Sequence, residues 1–157
     1  MKINSLITII IATLLSFNAM AGAKRADIEP FYDFLSNPAS ENHAKAFVAS
    51  VTTDWQSIGN YSGVNKTQEK FVQQIKGFSK LIPDLDWAIQ DVIVKGDTVV
   101  VRSRATGTPN GPLFGVDGQG KGFDILTIDI HTIKNGRVVE TYHVEDWAGA
   151  LQQLKAQ

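Results

Sequence analysis

The sequence predicts one domain of the α+β class, in which helices come first along the chain and antiparallel strands come last. Apolar residues recur at helical spacing as far as residue 82, and the period then changes to two. Helices segregated to one face of an antiparallel sheet define this class. We therefore predict a cone-shaped barrel, with a curved antiparallel sheet and the N-terminal helices packed on its concave face. A pocket inside the cone is the expected binding site.

Residues 1–21 are predicted to be a cleaved signal peptide. Lys2 precedes an apolar run over residues 3–15, and residues 19–21 (AMA) place small side chains two apart, as signal peptidase requires. The run is too short to span a bilayer, although a retained N-terminal anchor is the alternative. Residues 22–157 would then be a single domain, periplasmic or secreted, with no membrane contact after cleavage.

Composition and charge exclude several kinds of site. The chain has no cysteine, which excludes thiol nucleophiles, iron–sulfur clusters and cysteine zinc sites. Its formal net charge is −1 and its basic residues are scattered, so no nucleic-acid face is predicted. His131 and His143 fall on opposite faces of neighbouring predicted strands, and no metal site is predicted. The expected partner is a small molecule.

Helices are predicted from apolar spacing and from end signals. A small helix around Phe31 and Phe34 ends at Asn37-Pro38, because the residue before a proline avoids helical geometry. Ser40 and Thr67 are predicted N-caps, since a hydroxyl oxygen accepts a hydrogen bond from the first turn. The other helices are predicted over residues 41–51, from 67 to 82, and over 146–154.

Four strands are predicted from alternation of period two. A turn at Lys95-Gly96-Asp97 joins the first pair, and a Gly- and Pro-rich loop over residues 108–122 follows. Asn135-Gly136 joins the second pair, because both residues tolerate the positive φ of a type I′ turn. The strands are predicted over residues 87–94, 98–107, about 123–133 and 137–144.

The second hairpin carries many titratable groups. A two-residue turn would place Ile133 opposite Val138, His131 opposite Glu140, and Asp129 opposite Tyr142. One face of the hairpin is then predicted to hold Asp129, His131, Glu140, Tyr142 and, beyond the strand end, Asp146. The other is predicted to hold Ile128, Ile130, Thr132, Val139, Thr141 and His143.

Two interpretations of this hairpin stay open. In one, the isoleucine face packs in the core and the ionisable face meets water, as is common in antiparallel sheets. In the other, the ionisable face lines the cone and another subunit covers the isoleucine face. Desolvation would then raise the pKa of a carboxyl group, and a nearby histidine would tune it toward neutrality. Proton abstraction next to a carbonyl needs such a group.

Several motifs together carry a resemblance to a known family over roughly residues 47–154. They are IPDLDW (82–87), DVIVKGDTVVVRSRATGT (91–108), GPLFG (111–115), Asn135-Gly136, VVE (138–140) and EDWAGALQQL (145–154). In their order and spacing they resemble the SnoaL-like polyketide cyclases, also labelled ester cyclases, of the nuclear-transport-factor-2-like fold. The resemblance implies a cone-shaped barrel, a homodimer or tetramer assembled through the outer sheet face, and cofactor-free chemistry.

The resemblance also implies roles for particular residues. In that family an aspartate late in the last strand acts as acid and base for an aldol closure, assisted by a pocket histidine. Asp146 matches that aspartate in the motif, and His131 is the candidate histidine. Trp55 and Tyr61 lie where relatives line the pocket mouth, and Phe114 is a candidate lid. The alternatives are a core position for Trp55, a loop anchor for Phe114 and a helix N-cap for Asp146.

The sequence thus predicts an exported SnoaL-like protein whose apolar pocket binds a small hydrophobic carbonyl compound. Asp146 would be the base and His131 would tune it, while Asp129, Glu140 and Tyr142 would line the same wall. The reaction would be a cyclisation, an isomerisation or a hydrolysis. Two other functions stay open: a non-catalytic carrier or sensor with the same pocket, and an oligomeric interaction module that uses the sheet face.

Overall fold

A computed structural model describes residues 22–61 and 63–155, and the predicted signal peptide lies outside this part of the chain. Within it, helices pack on one face of a curved, unclosed six-stranded sheet, which confirms the predicted α+β class. No helix in these two ranges is long and apolar enough to cross a membrane.

The helices lie close to their predicted positions. Ser40 Oγ accepts a hydrogen bond from His43 N–H, and Thr67 Oγ1 accepts one from Lys70 N–H, each at 3.4 Å, so both predicted N-caps are confirmed. The helices are α1 (Glu29–Ser36), α2 (Glu41–Ser50), α3 (Gln68–Leu81) and α4 (Trp147–Lys155), preceded by a short 3₁₀ turn at Arg25–Asp27.

The sheet contains the four predicted strands and two more that the sequence analysis missed. The six are β1 (Val51–Ile58), β2 (Lys66–Thr67), β3 (Asp86–Lys95), β4 (Thr98–Gly107), β5 (Phe123–Lys134) and β6 (Arg137–Glu145). They are arranged in the order β2-β1-β6-β5-β4-β3. The consecutive strands β3, β4, β5 and β6 pair antiparallel, as predicted, with a register shift in the β3–β4 pair and another in the β5–β6 pair.

Strand β1 follows α2 directly and pairs parallel with β6, so the sheet is not antiparallel throughout. Its inward positions include Trp55 and the polar Ser57, and its register against β6 shifts between Val51 and Gln56. Because of that irregularity the strand lacks a clean alternation of apolar and polar residues, and no period-two pattern marks it in the sequence.

The predicted register of the β5–β6 hairpin is wrong beyond the residues nearest the turn. The pairs Lys134–Arg137 and Ile133–Val138 are confirmed, but Thr132 then pairs with Glu140. Val139 is therefore an additional residue on β6, a β-bulge. A bulge shifts the register by one residue and turns each later side chain of its strand to the opposite face.

The bulge exchanges the side chains that β6 presents to the two faces. Glu140 and Tyr142, predicted to share a face with Asp129, lie instead on the outer face with the isoleucines of β5. Thr141 and His143, predicted on the outer face, point inward opposite His131 and Asp129 respectively. Glu145 follows with the same inward parity.

The space between the sheet and the helices is filled largely by aromatic rings. The centroids of neighbouring rings lie between 5.0 and 6.1 Å apart. The four central rings belong to Phe31, Phe47, Trp55 and Phe71. The Phe31 ring also lies 5.1 Å from the His131 ring, so this cluster contacts the polar residues of β5.

A buried carboxyl group in the candidate active site

Asp129 lies in the middle of β5 and points into the cone, with 5% of its surface exposed. The alternation of β5 turns it inward while Ile128 and Ile130 turn outward. Tyr32 on helix α1 contacts it, and the Tyr32 hydroxyl donates a hydrogen bond to Asp129 Oδ2 at 2.8 Å. His143 is its cross-strand neighbour on β6.

Burial raises the pKa of Asp129 to about 7. The hydrogen bond from Tyr32 and the charge of His143 oppose this shift, whereas the charge of Glu145 adds to it. At neutral pH the carboxyl group is therefore present in both protonation states. A group in that condition both takes up and releases protons efficiently, as general acid–base catalysis requires.

His131 is fully buried, two residues along β5 from Asp129. Its Nε2 lies 3.0 Å from the Tyr32 oxygen, and its Nδ1 lies 2.9 Å from Thr141 Oγ1. Burial lowers the pKa of His131 to about 3, so the ring is neutral at physiological pH. The Tyr32 hydroxyl thus bridges the two residues that the sequence analysis placed on one face.

His143 and Glu145 form a second polar pair beside Asp129. The two side chains approach to 2.9 Å between His143 Nδ1 and Glu145 Oε1, where the carboxylate accepts from the ring. His143 Nε2 is buried and makes no hydrogen bond within the described ranges. It packs against Gly59, where an added Cβ would lie 2.8 Å from the nitrogen. This pair could not be predicted from the sequence, because the bulge at Val139 has no glycine or other local sequence signal.

These groups border a small cavity of about 50 Å³ with both polar and apolar lining residues. Its ionisable wall consists of Lys66, Asp129, His143 and Glu145. Its apolar wall includes Phe31, Leu35, Phe71, Ile75, Trp87 and Trp147. A space of this size holds a few water molecules, so a larger ligand must displace side chains. Phe114 is 60% exposed and packs on Trp147 with ring centroids 5.5 Å apart, which places it on the outside of the cavity wall.

Asp146 lies outside this cavity, at the start of α4. Its Oδ1 accepts a hydrogen bond from Gly149 N–H at 2.8 Å, so it is the N-cap of the helix. The side chain is exposed and borders a shallow groove on the outer face, with Leu126 and Ile128. The structure does not bring Asp146 and His131 together, and a catalytic role for Asp146 stays a prediction.

The remaining predicted site residues are dispersed. Trp55 is buried in the core and donates from Nε1 to Thr141 Oγ1 at 3.1 Å. Tyr61 is 93% exposed and borders an outer-face pocket together with Tyr142. Across the two described ranges, no three His, Asp or Glu side chains are grouped to hold a metal ion.

Comparison with known proteins gives one family. The family of SnoaL-like polyketide cyclases matches residues 26–154. No curated protein shows a match. A crystal structure of a candidate polyketide cyclase from Bacillus cereus ATCC 10987 is similar, with 27% identity, a TM-score of 0.66, and coverage of 82% of this chain and 77% of that one.

Two further crystal structures share the fold. One is IdmH from Streptomyces antibioticus, a candidate polyketide cyclase with 21% identity, a TM-score of 0.72, and coverage of 83% of this chain and 97% of that one. The other is a candidate SnoaL-like polyketide cyclase from Jannaschia sp. CCS1, with 23% identity, a TM-score of 0.69, and coverage of 83% and 92%.

Proposed function

We propose the following function for this chain, which belongs to the SnoaL-like polyketide cyclase family: a cofactor-free acid–base enzyme acting on a small hydrophobic carbonyl compound. Family membership suggests a cofactor-free, cyclase-type role. The observation that carries the proposal is the Asp129 carboxyl group. Burial raises its pKa to about 7, and it borders a small cavity with one apolar wall.

In the proposed reaction, the ionised Asp129 removes a proton from the carbon next to the substrate carbonyl. The electron pair of the broken C–H bond forms the enolate, and the proton stays on the carboxyl group. The same proton then returns to the oxygen of a second carbonyl that the enolate attacks, which is a cyclisation, or to another carbon, which is an isomerisation. No co-reactant is consumed. General acid–base assistance of this kind contributes roughly 10²–10⁴-fold in rate.

His143 is the proposed partner of the substrate oxygen. Its Nδ1 is held by Glu145, which fixes the ring orientation as a carboxylate does for other catalytic histidines. Its Nε2 has no hydrogen-bond partner in the described part of the chain, although the atom is buried. A small movement of the ring away from Gly59 would let the imidazolium form of His143 donate its Nε2 proton to the substrate oxygen while Asp129 acts on carbon.

The cavity restricts the substrate to a small molecule. Ligand pockets for drug-sized compounds measure about 300–1,000 Å³, whereas this cavity measures about 50 Å³. Its apolar wall would hold a hydrocarbon body, and its ionisable wall would hold one carbonyl group. We therefore propose a short-chain or single-ring compound rather than a polycyclic one, and its entry would still displace side chains of the cavity wall.

Deuterium exchange tests this function without knowledge of the natural substrate. Small methyl ketones and β-keto esters are incubated with the protein in D₂O, and loss of the α-proton signal is followed by NMR. Asp129→Asn is expected to reduce exchange by at least about 100-fold, because the base is removed. Asp146→Asn is the matched variant and is expected to retain exchange, because asparagine also caps a helix.

The opposite pattern would contradict this assignment. If Asp146→Asn abolishes exchange and Asp129→Asn retains it, Asp146 is the base, as its match to the family motif indicates. If wild-type protein exchanges none of the compounds but retains one in native mass spectrometry, the protein is a carrier or sensor.

Assembly and export stay proposals as well. The outer face of β5 and β6 exposes Leu126 (52%), Ile130 (42%) and Val144 (62%), which supports a face that a second copy of the chain covers. Periplasmic or secreted location rests on the sequence pattern of residues 1–21.

A further inference from the structure

Five buried polar side chains form one continuous chain of hydrogen bonds that ends at Asp129. Trp55 Nε1 lies 3.1 Å from Thr141 Oγ1, and the same oxygen lies 2.9 Å from His131 Nδ1. The other ring nitrogen, His131 Nε2, lies 3.0 Å from the Tyr32 oxygen, which lies 2.8 Å from Asp129 Oδ2. Each of the five residues is at most 5% exposed. Buried donors need protein acceptors, so each hydrogen in the chain has a restricted position.

The direction of the chain is set at Trp55. An indole N–H donates and cannot accept, so Thr141 Oγ1 is the acceptor in that bond. The hydroxyl of Thr141 has one hydrogen, and its only other hydrogen-bond partner in the described ranges is His131 Nδ1. If Nδ1 carried the proton of the ring, the Thr141 oxygen would accept twice and its own hydrogen would be left without an acceptor. Thr141 therefore donates to Nδ1.

This bond selects one tautomer of His131. Burial lowers the pKa of His131 to about 3, so the ring carries a single proton at neutral pH. Because Nδ1 accepts from Thr141, that proton lies on Nε2. Nε2 then donates to the Tyr32 oxygen, 3.0 Å away.

The last bond of the chain follows from the same rule. The Tyr32 oxygen accepts from His131, so its single hydrogen is directed to Asp129 Oδ2. This orientation suits both protonation states of Asp129, because a carboxyl group protonated on Oδ1 still accepts at Oδ2. All the hydrogens in the chain thus point toward Asp129, and aligned hydrogen bonds polarise one another.

We propose that Trp55 and Thr141 are positioning residues for Asp129. They hold His131 in the Nε2–H tautomer, and that tautomer directs the Tyr32 hydroxyl to the carboxyl group. The inference rests on the proposed role of Asp129 as acid and base. It adds that two residues with no contact to the carboxyl group fix its orientation and favour its ionised form.

The tautomer can be read directly in the full chain. In protein labelled with ¹⁵N in its histidines, long-range ¹H–¹⁵N NMR distinguishes a protonated ring nitrogen from an unprotonated one. The expected wild-type result at neutral pH is a protonated Nε2 and an unprotonated Nδ1 for His131. A protonated Nδ1 would overturn the proposal without any variant.

Two variants test the cause of the tautomer. Thr141→Val removes the hydroxyl and keeps the shape of the side chain, and Trp55→Phe removes the indole N–H and keeps an aromatic ring. In both, the expected result is loss of the single tautomer and an upward shift of the Asp129 pKa in a ¹³C titration, because the Tyr32 bond to the carboxylate is no longer enforced. Thr141→Ser retains the hydroxyl and is expected to leave both signals as in wild type.

Unchanged His131 signals and an unchanged Asp129 titration in both folded variants would refute the positioning role. If either variant fails to fold, the wild-type tautomer and the other variant still decide. None of these measurements needs a substrate. A wild-type chain with the expected tautomer whose Asp129→Asn variant retains deuterium exchange would therefore contradict the proposed function alone.

Discussion

Asp129 and His131 share the Tyr32 hydroxyl, and burial shifts their pKa values in opposite directions. It raises the pKa of Asp129 to about 7 and lowers that of His131 to about 3. Both groups are therefore neutral in the native state at mildly acidic pH. A neutral buried pair avoids the cost of a desolvated charge, which explains how two ionisable residues occupy an aromatic core.

The shifted pKa values make opposite contributions to stability. Native Asp129 keeps a proton that the unfolded chain releases near pH 3.8, so its contribution is present at low pH and is lost as pH rises to about 7. Native His131 stays unprotonated at pH values below 6.5, where the unfolded chain binds a proton at this residue. Its contribution to stability is therefore present above pH 6.5 and is lost as the pH falls toward 3. Between pH 3.8 and 6.5 the stability contribution of Asp129 falls with pH while that of His131 rises, so the two pH dependences nearly cancel.

Replacing Asp129 is expected to expose the His131 contribution. The free energy of unfolding of Asp129→Asn, minus that of wild type, should rise with pH between about 4 and 7, by up to about 1.4 kcal/mol per pH unit. Urea unfolding at several pH values measures this difference. A difference that is independent of pH would show that Asp129 titrates alike in the folded and unfolded chains.

Gly59 is expected to be required for the position of His143. An added Cβ would lie 2.8 Å from His143 Nε2, so Gly59→Ala should displace the ring and lower deuterium exchange, with a small loss in the free energy of unfolding because the atom that must move is the end of a side chain. Gly77→Ala is the control, because its Cβ meets nothing within 4 Å and alanine favours a helix interior. Equal exchange rates and stabilities in the two variants would contradict the packing argument.

At the scale of elements, helix ends and strand alternation could be predicted, but the register of one hairpin could not. Ser40, Thr67 and Asn135-Gly136 are local signals, and the structure places a cap or a turn at each of them. The bulge at Val139 depends on how β6 packs between β5 and the parallel β1. That information is not local, and the error moved Glu140 and Tyr142 to the wrong face.

The N-cap of helix α4 can be tested by replacing Asp146. As the N-cap of α4 it satisfies Gly149 N–H, so Asp146→Ala should lower the free energy of unfolding by about 1 kcal/mol. Asp146→Asn should lower the free energy of unfolding by only a few tenths of a kcal/mol, since asparagine caps a helix about as well as aspartate. Thermal or urea unfolding of the two variants measures the difference. Equal losses in both would show that its charge, rather than its cap bond, supports the helix.

At the scale of the whole molecule, the outer face of β5 and β6 exposes apolar side chains that would contact water in a monomer. Leu126, Ile128, Ile130 and Val144 lie on β5 and β6, with exposures from 36% to 62%. We expect a homodimer or tetramer through this face. Ile130→Lys should shift the sedimentation coefficient of the mature protein toward that of a monomer.

Val48→Lys is the matched control for assembly, because Val48 is 41% exposed and lies on helix α2 rather than on a strand of the sheet. It should leave the oligomer intact. A wild-type protein that sediments as a monomer at high concentration would contradict assembly through β5 and β6.

The cone itself could be predicted from the order of helices and strands and from the family motifs. The placement of the site within it was predicted only in part. Asp129 and His131 share the inner face, as expected, but Tyr32 on α1 joins them from far along the chain, and no sequence pattern linked it to β5. Residues that meet only through tertiary packing need the assembled fold to be recognised.

The proposed chemistry depends on Asp129 being a buried carboxyl group that titrates near neutrality. A ¹³C NMR titration of the aspartate carboxyl groups in the mature chain, with Asp129→Asn to assign the signal, tests it directly. We expect a midpoint near pH 7 for Asp129. A midpoint near the ordinary value of 3.8 would contradict it, because a carboxyl group that ionises as it does in water is not poised to take and return protons at neutral pH.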